Sequence, residues 1–254
     1  MNVLVCVKRV PATGAKIVLT GDGQEIDTRH LGFTVSPHEE CAVEEAVRLV
    51  EAHGGAATVL TLGPEAAIEQ LREALAVGVE RAVLLETDGS EWGPQATAAA
   101  IVEAVRAQQA AAGDFDILLF GNEAADSGGY QVGVRVAYAL GLPCLTGIKA
   151  LEVGDGTAIA RREAAGGWEV FEVPLPAVLT VKEGLNLPRY PSLPGRLRAK
   201  KKPIERLQPQ RTGDGLEKVR LKVPQEERSS AEVLGEGPGA APDVVEMLKK
   251  IGVM

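Results

Sequence analysis

The sequence predicts an α/β protein: a doubly wound, mostly parallel sheet with antiparallel hairpin additions and an extended C-terminal arm. Three observations predict it. Short apolar runs alternate with helical patterns up to about residue 145. Beyond that point come strand-like segments broken by Gly-rich turns. Residues 212–241 are then rich in Gly, Pro and Glu and too poor in apolar side chains to build a core of their own.

Residues 3–7 form a continuous, β-branched-rich apolar run, the pattern of a strand buried on both faces. Residues 16–19 and 24–27 flank Gly21-Asp22-Gly23 and read as a hairpin. Ser36, Pro37 and Glu39 spell a helix start. Ser caps, Pro fits the first helical position, and Glu three residues after Ser completes a capping box. Val43, Ala46, Val47 and Val50 then repeat at helical spacing, and Gly54-Gly55 closes the helix. Three similar units follow. Residues 57–62 precede a helix lined by Ile68, Leu71 and Leu75. Residues 82–85 precede one carrying Ala98, Ile101, Val102 and Val105. Residues 115–120 precede one carrying Val132, Val136 and Leu140. Such alternation produces right-handed βαβ units.

Residues 148–153, 157–162, 168–173 and 177–182 have strand composition and read as antiparallel hairpins. From Gly184 the chain turns irregular and Pro-rich, and only a short final helix with Val244, Val245 and Leu248 is expected after it. Residues 189–211 hold eight Lys/Arg against Glu205 alone, a local charge of +7 in a chain of net −8, leaving −15 elsewhere. The division that follows is a nucleotide-binding α/β domain at 1–184, a basic partner-recognition loop at 185–203, and an extended arm with terminal helix at 204–254.

Composition narrows the function. An acidic chain of 254 residues is no dedicated nucleic-acid binder. Aromatics are 4%, so Ala, Val, Leu and Ile must make the core. Three widely spaced cysteines build no disulfide framework and suit a reducing cytosol. With no leader-like N-terminus and no run long enough to span a membrane, a cytoplasmic protein is expected.

No GxSxG, HExxH, P-loop or GxGxxG motif occurs, so no catalytic residue is assigned. His30, His38 and His53 lack metal-ligand spacing, so no metal site is expected either. His38-Glu39-Glu40-Cys41 reads as a helix N-terminus with acidic residues facing the dipole. The informative stretch runs from Gly121 to Gly133. It leaves the fourth βα unit's strand through Gly128-Gly129 and opens a helix, whose free N–H groups favour a phosphate. Ligands of open α/β sheets sit at this edge. An ordinary Gly-rich turn is the other reading of the same residues.

Val3-Leu4-Val5-Cys6-Val7-Lys8-Arg9-Val10, Ala42-Val43-Glu44-Glu45-Ala46-Val47-Arg48-Leu49 and Asn186-Leu187-Pro188-Arg189-Tyr190 resemble, in order, the β subunit of electron transfer flavoprotein. Leu193-Pro194 and Ala199-Lys200-Lys201-Lys202 extend the resemblance to residue 202. The resemblance implies an adenine-nucleotide-binding fold and an electron carrier without catalytic residues. It implies a heterodimer with an α subunit that holds most of the FAD, and a structural AMP in this chain. Electrons would come from acyl-CoA or other flavin dehydrogenases, as in fatty acid oxidation, and pass to a quinone oxidoreductase or another acceptor. The family's AMP contacts fall on Cys6, Ser36, Pro37, His38, Glu39 and Leu62. They continue on Gly121, Asn122, Asp126, Ser127, Gly128, Gly129, Tyr130, Gln131 and Val132. Many members carry an acidic run here; Asp126-Ser127-Gly128-Gly129 departs from it and leaves backbone N–H groups as the phosphate contacts.

The segment 184–202 resembles the family's recognition loop, with Leu193 as the anchor for a dehydrogenase pocket. Arg189, Arg196, Lys200, Lys201 and Lys202, with Arg198, would form a basic collar around it. A solvated charge run, or attraction to anionic lipid, is the plainer reading of that collar. Leu187 stands where Glu is usual and implies altered partner choice. The alternative for the whole chain is a free-standing adenine-nucleotide-binding protein of the universal-stress type, which would need neither the basic loop nor the arm.

Overall fold

The computed structural model describes every residue except 13, 15, 155, 214, 216, 217, 225–231 and 254. Its first strand, β1 (Asn2–Cys6), leads into a small antiparallel ribbon of β2 (Val10–Pro11) and β3 (Phe33–Thr34). There follow α1 (Pro37–His53), β4 (Ala56–Gly63), α2 (Ile68–Val77), β5 (Arg81–Glu86), α3 (Pro94–Ala112), β6 (Ile117–Gly121) and α4 (Val132–Leu140). The remainder comprises β7 (Cys144–Gly154), β8 (Thr157–Ala164), β9 (Gly167–Pro174), β10 (Ala177–Val181), α5 (Leu193–Lys201), β11 (Glu205–Leu207) and α6 (Ala241–Lys250).

The main sheet has nine strands in the order β11-β5-β4-β1-β6-β10-β7-β8-β9 among the described residues. From β11 to β7 neighbouring strands are parallel, while β7–β8 and β8–β9 are antiparallel. β1 shows why both faces are covered. Val3 and Val5 point into one apolar cluster with α1, α2 and Ala199, whereas Leu4 and Cys6 point into another with α3 and α4. Both clusters consist almost wholly of Ala, Val, Leu and Ile, with Phe115 and Phe120 buried in the second.

Four expectations are revised. Residues 177–182 do not close an antiparallel hairpin: Ala177–Val181 lies parallel between β6 and β7 and is buried throughout. Strand composition does not encode direction, and full burial is what a central parallel strand requires. The hairpin at 16–27 shrinks to a single bridge, Leu19 with Ile26, because the half-exposed Ile17 and Val18 have no core beneath them. Residues 193–201, expected to be irregular, form α5. Ser192 caps it by accepting from Gly195 N at 3.1 Å, and Arg72 donates to the Ala199 and Lys202 carbonyls. Residues 205–207 pair with β5, and Gln108 donates to Glu205 at 2.9 Å. The terminal helix forms as expected, but buries none of its residues.

Candidate functional site

The chain leaves β1 for α1 on one face of the sheet and leaves the adjacent β6 for α4 on the other. Loops that part in this way open a crevice at the carboxyl ends of the two strands, the usual ligand position in such sheets. Most of the expected nucleotide contacts gather here.

The α1 wall is built by the capping box. Glu39 N donates to Ser36 Oγ at 3.2 Å, and the Glu39 carboxylate accepts from Ser36 N at 2.9 Å and Ser36 Oγ at 3.1 Å. Pro37 opens the helix beside it. The other carboxylate oxygen accepts from Lys8 N at 2.8 Å, which ties the chain leaving β1 to the start of α1. Glu39 is only 6% exposed. Burial raises its pKa to about 7 although the Ser36 and Lys8 hydrogen bonds pull it down. Burial, with Glu39 nearby, also pushes the Cys6 thiol far up, so Cys6 lies at the crevice floor as a neutral, apolar surface. Gly121 at the end of β6 is needed for contact: a Cβ there would stand 2.8 Å from Glu39 Cγ.

The opposite wall is the loop from Gly121 to α4. Asn122 N donates to Val181 O at 2.9 Å, and Asn122 Oδ1 accepts from Thr180 Oγ1 at 2.8 Å. Thr180 Oγ1 in turn accepts from Gly147 N, so β7 is joined to the ends of β6 and β10. His38 Nδ1 accepts from Glu183 N at 2.8 Å, and its Nε2 stands 3.4 Å from Glu123. Asp126 pairs with Lys8 at 2.7 Å. Gly128 turns the loop with φ +59°, and Tyr130, half-exposed, follows with φ +49°, a region that non-glycine residues seldom occupy. Val132 begins α4 without a side-chain cap, since Gln131 spends its carboxamide oxygen on Arg135 at 3.1 Å. Gly133 presses on β10: its Cβ would stand 2.9 Å from Thr180 Cγ2.

The crevice thus unites Cys6, Ser36, Pro37, His38, Glu39, Gly121, Asn122 and Asp126. Ser127, Gly128, Gly129, Tyr130, Gln131 and Val132 follow along its rim. Leu62 lies one strand away, at the end of β4, packed on the α3 side. Lys8, which the sequence does not single out, joins the crevice residues through its ion pair with Asp126. Two positions beyond Cys6, it follows the first strand and reads as surface.

The basic segment that begins at Leu185 is pinned to the outer side of α1. Arg189 grips the buried Glu44 (Nε to Oε2 2.9 Å, Nη2 to Oε1 3.0 Å) and also Glu51 (Nη1 to Oε1 2.7 Å), which raises its pKa further. Asn186 donates to Cys41 O at 3.0 Å and to Glu45 at 2.9 Å. These anchors leave Leu187 91%, Tyr190 96%, Leu193 72% and Leu197 55% exposed. Lys202 donates to Val79 O at 2.8 Å, and burial lowers its pKa. Arg189 and Lys202 are therefore engaged within the chain, while Arg196, Arg198, Lys200 and Lys201 point to solvent. A cleft of about 550 Å³ opens beside them, lined by Val77, Glu80, Tyr190 and Arg198. A second, of about 400 Å³, lies near Met1 and Asp116. Neither is the β1–β6 crevice, which is set by the parting loops after β1 and β6.

Fold and crevice define the class: a doubly wound α/β protein with a basic segment fixed on its first helix. The protein-family model described as an electron transfer flavoprotein domain matches residues 25–211. The chain is 41% identical over 211 residues to the electron transfer flavoprotein subunit beta of Bacillus subtilis (strain 168), covering 82% of this chain and 79% of that one. It is 41% identical over 207 residues to the subunit beta of Syntrophomonas wolfei, covering 80% and 78%. The corresponding protein of Bradyrhizobium diazoefficiens is 36% identical, with 80% of both chains covered. The chain belongs to the electron transfer flavoprotein family, on its beta-subunit branch. Among the described residues no helix is long and apolar enough to cross a membrane, and no cluster of His, Cys, Asp or Glu is arranged to hold a metal.

Proposed function

We propose that this chain is the beta subunit of a heterodimeric electron transfer flavoprotein. It pairs with an alpha subunit that holds most of the FAD, and it carries a structural AMP in the β1–β6 crevice. When bound, the flavin accepts and releases electrons. This chain's residues hold the nucleotide, help shape the flavin site and present the recognition segment. Electrons arrive from acyl-CoA or other flavin dehydrogenases and leave to a quinone oxidoreductase or another acceptor. In this reading residues 1–184 bind the nucleotide, 185–203 meet the dehydrogenase and 204–254 embrace the alpha subunit.

The observation that carries the reading is the match over residues 25–211 together with beta-subunit relatives covering about four-fifths of the chain. The crevice supports it. An adenylate fits a neutral Cys6 floor and an uncapped α4 start whose first N–H groups face no side-chain acceptor. Four large apolar side chains exposed within a short basic segment suit a partner that desolvates them.

Nucleotide content tests it. The chain co-expressed with its alpha subunit should be yellow and release equimolar AMP and FAD on denaturation. The chain alone should be colourless and release AMP. Stoichiometric FAD from the chain alone overturns the AMP assignment.

A further inference from the structure

We propose that Lys8 is the phosphate-binding cation of the β1–β6 crevice, and that Asp126 holds its ammonium in the phosphate's place until the nucleotide enters. This rests on the adenylate reading above and adds to it a residue and an exchange.

Lys8 follows β1 and Asp126 lies in the loop after β6, so their ion pair at 2.7 Å spans the two strands whose loops part. The root of Lys8 is fixed, because its backbone N–H donates to Glu39 at 2.8 Å, while its side chain remains 44% exposed. It is a held base with an exposed arm. The surrounding charge is hostile to an anion. Glu39 forms one wall, Glu123 lies against His38 across the loop, and Asp126 occupies the rim. A phosphate monoester seated on the α4 N-terminus meets these carboxylates and gains little unless a cation faces it. Lys8 is the cation already bridging the two walls. On the far side of Asn122, Lys182 lies near Gly147 and provides a rival.

The exchange costs little. An ion pair between side chains this exposed adds little stability, whereas an ammonium–phosphate contact on a helix N-terminus is charge-assisted from both sides. Asp126 thereby keeps the lysine extended and oriented, and yields it when a stronger anion arrives.

The test uses the full heterodimer loaded with radiolabelled AMP and chased with unlabelled nucleotide. Lys8→Met should release AMP roughly tenfold faster or more, the loss expected of one charge-assisted hydrogen bond. Lys8→Arg should stay near wild type. Adenosine, which lacks the phosphate, should bind Lys8→Met and wild type alike. Asp126→Asn removes the competitor and should slow release; unchanged release overturns the exchange. Wild-type release from Lys8→Met overturns the proposal, the more so if Lys182→Met accelerates it instead. Equal acceleration in Asp126→Asn also overturns it, because the pair would then be a structural latch. A wild-type heterodimer that contains no AMP removes the adenylate reading itself and this inference with it.

Discussion

Helices α1 and α5 both begin on a serine with a proline close behind, yet they are held by opposite means. α1 buries nine of its residues, and its cap is internal, Ser36 and Glu39 serving one another. α5 buries only Gly195 and Ala199 and is hooked from outside by Arg72 reaching its last carbonyls. The crevice wall is therefore part of the core. The basic segment is an applied element, fixed at a few points, and single substitutions should loosen it without unfolding the sheet.

The largest expected effect tests that contrast directly. Gly195 lies so close to α2 that a Cβ would overlap the Ala76 carbonyl. Gly195→Val should cost about 3 kcal/mol, the upper end for an overpacked contact, because the clash is with backbone that cannot step aside. Hydrogen exchange should show α5 amides losing protection while α1 amides keep theirs. Parallel loss in both helices would mean that the two are one cooperative unit.

Glu39 tests the other side. Its pKa is raised, so the folded chain binds this proton more tightly than the unfolded chain. Stability attributable to Glu39 therefore falls as pH rises from the ordinary carboxylate value to about 7, and above that the ionised group carries its full desolvation cost. Glu39→Gln should flatten the stability–pH curve by about 2–3 kcal/mol over that interval, since each tenfold change in proton affinity is worth about 1.4 kcal/mol. Glu40, Glu45 and Glu73 are raised too, so some slope will remain. An unchanged curve would show that Glu39 titrates like an exposed carboxylate.

How far each region was legible follows from the same contrast. Ser36, Pro37, Glu39 and the Val43–Val50 spacing announce α1 because its stabilising partners are local or periodic. α5 carries no apolar stripe; its partners Arg72 and Ala76 lie more than a hundred residues earlier, beyond the reach of any window. The direction of β10 and the three-residue β11 escaped for a related reason, since pairing is decided by neighbours and not by composition. The crevice residues were legible through the βα grammar and the family resemblance together. The Lys8–Asp126 pair was not, because it joins residues that meet across two adjacent strands. Arg189 was legible as a charge but not as a clamp, since nothing in its own segment points to the buried Glu44.

That clamp and the exposed Leu193 give the next effect. Arg189→Lys keeps the charge but cannot fork onto Glu44 and Glu51 together. It should free the segment and slow dehydrogenase-driven flavin reduction several-fold. Leu193→Ala, at an exposed position, should leave the melting temperature unchanged and slow the same reduction roughly tenfold, equivalent to about 1.4 kcal/mol. Dithionite reduction should be unaffected in both. Slowing by Leu193→Ala alone would place Arg189 outside the docking process.

The smallest effect separates two adjacent glycines on the crevice rim. Gly128 adopts φ +59°, where an L side chain is strained, while its Cβ position is open. Gly129 has no such dihedral, and its Cβ would meet only Ser127 Oγ at 3.8 Å. Gly128→Ala should therefore cost about 1 kcal/mol through backbone strain alone. Gly129→Ala should stabilise the chain by about 0.4–1 kcal/mol, because alanine restricts the unfolded state without penalty in the folded one. Urea midpoints of the chain without nucleotide measure both. The reverse ranking would mean that the rim takes its shape from packing at Gly129, and that the turn at Gly128 is incidental to it.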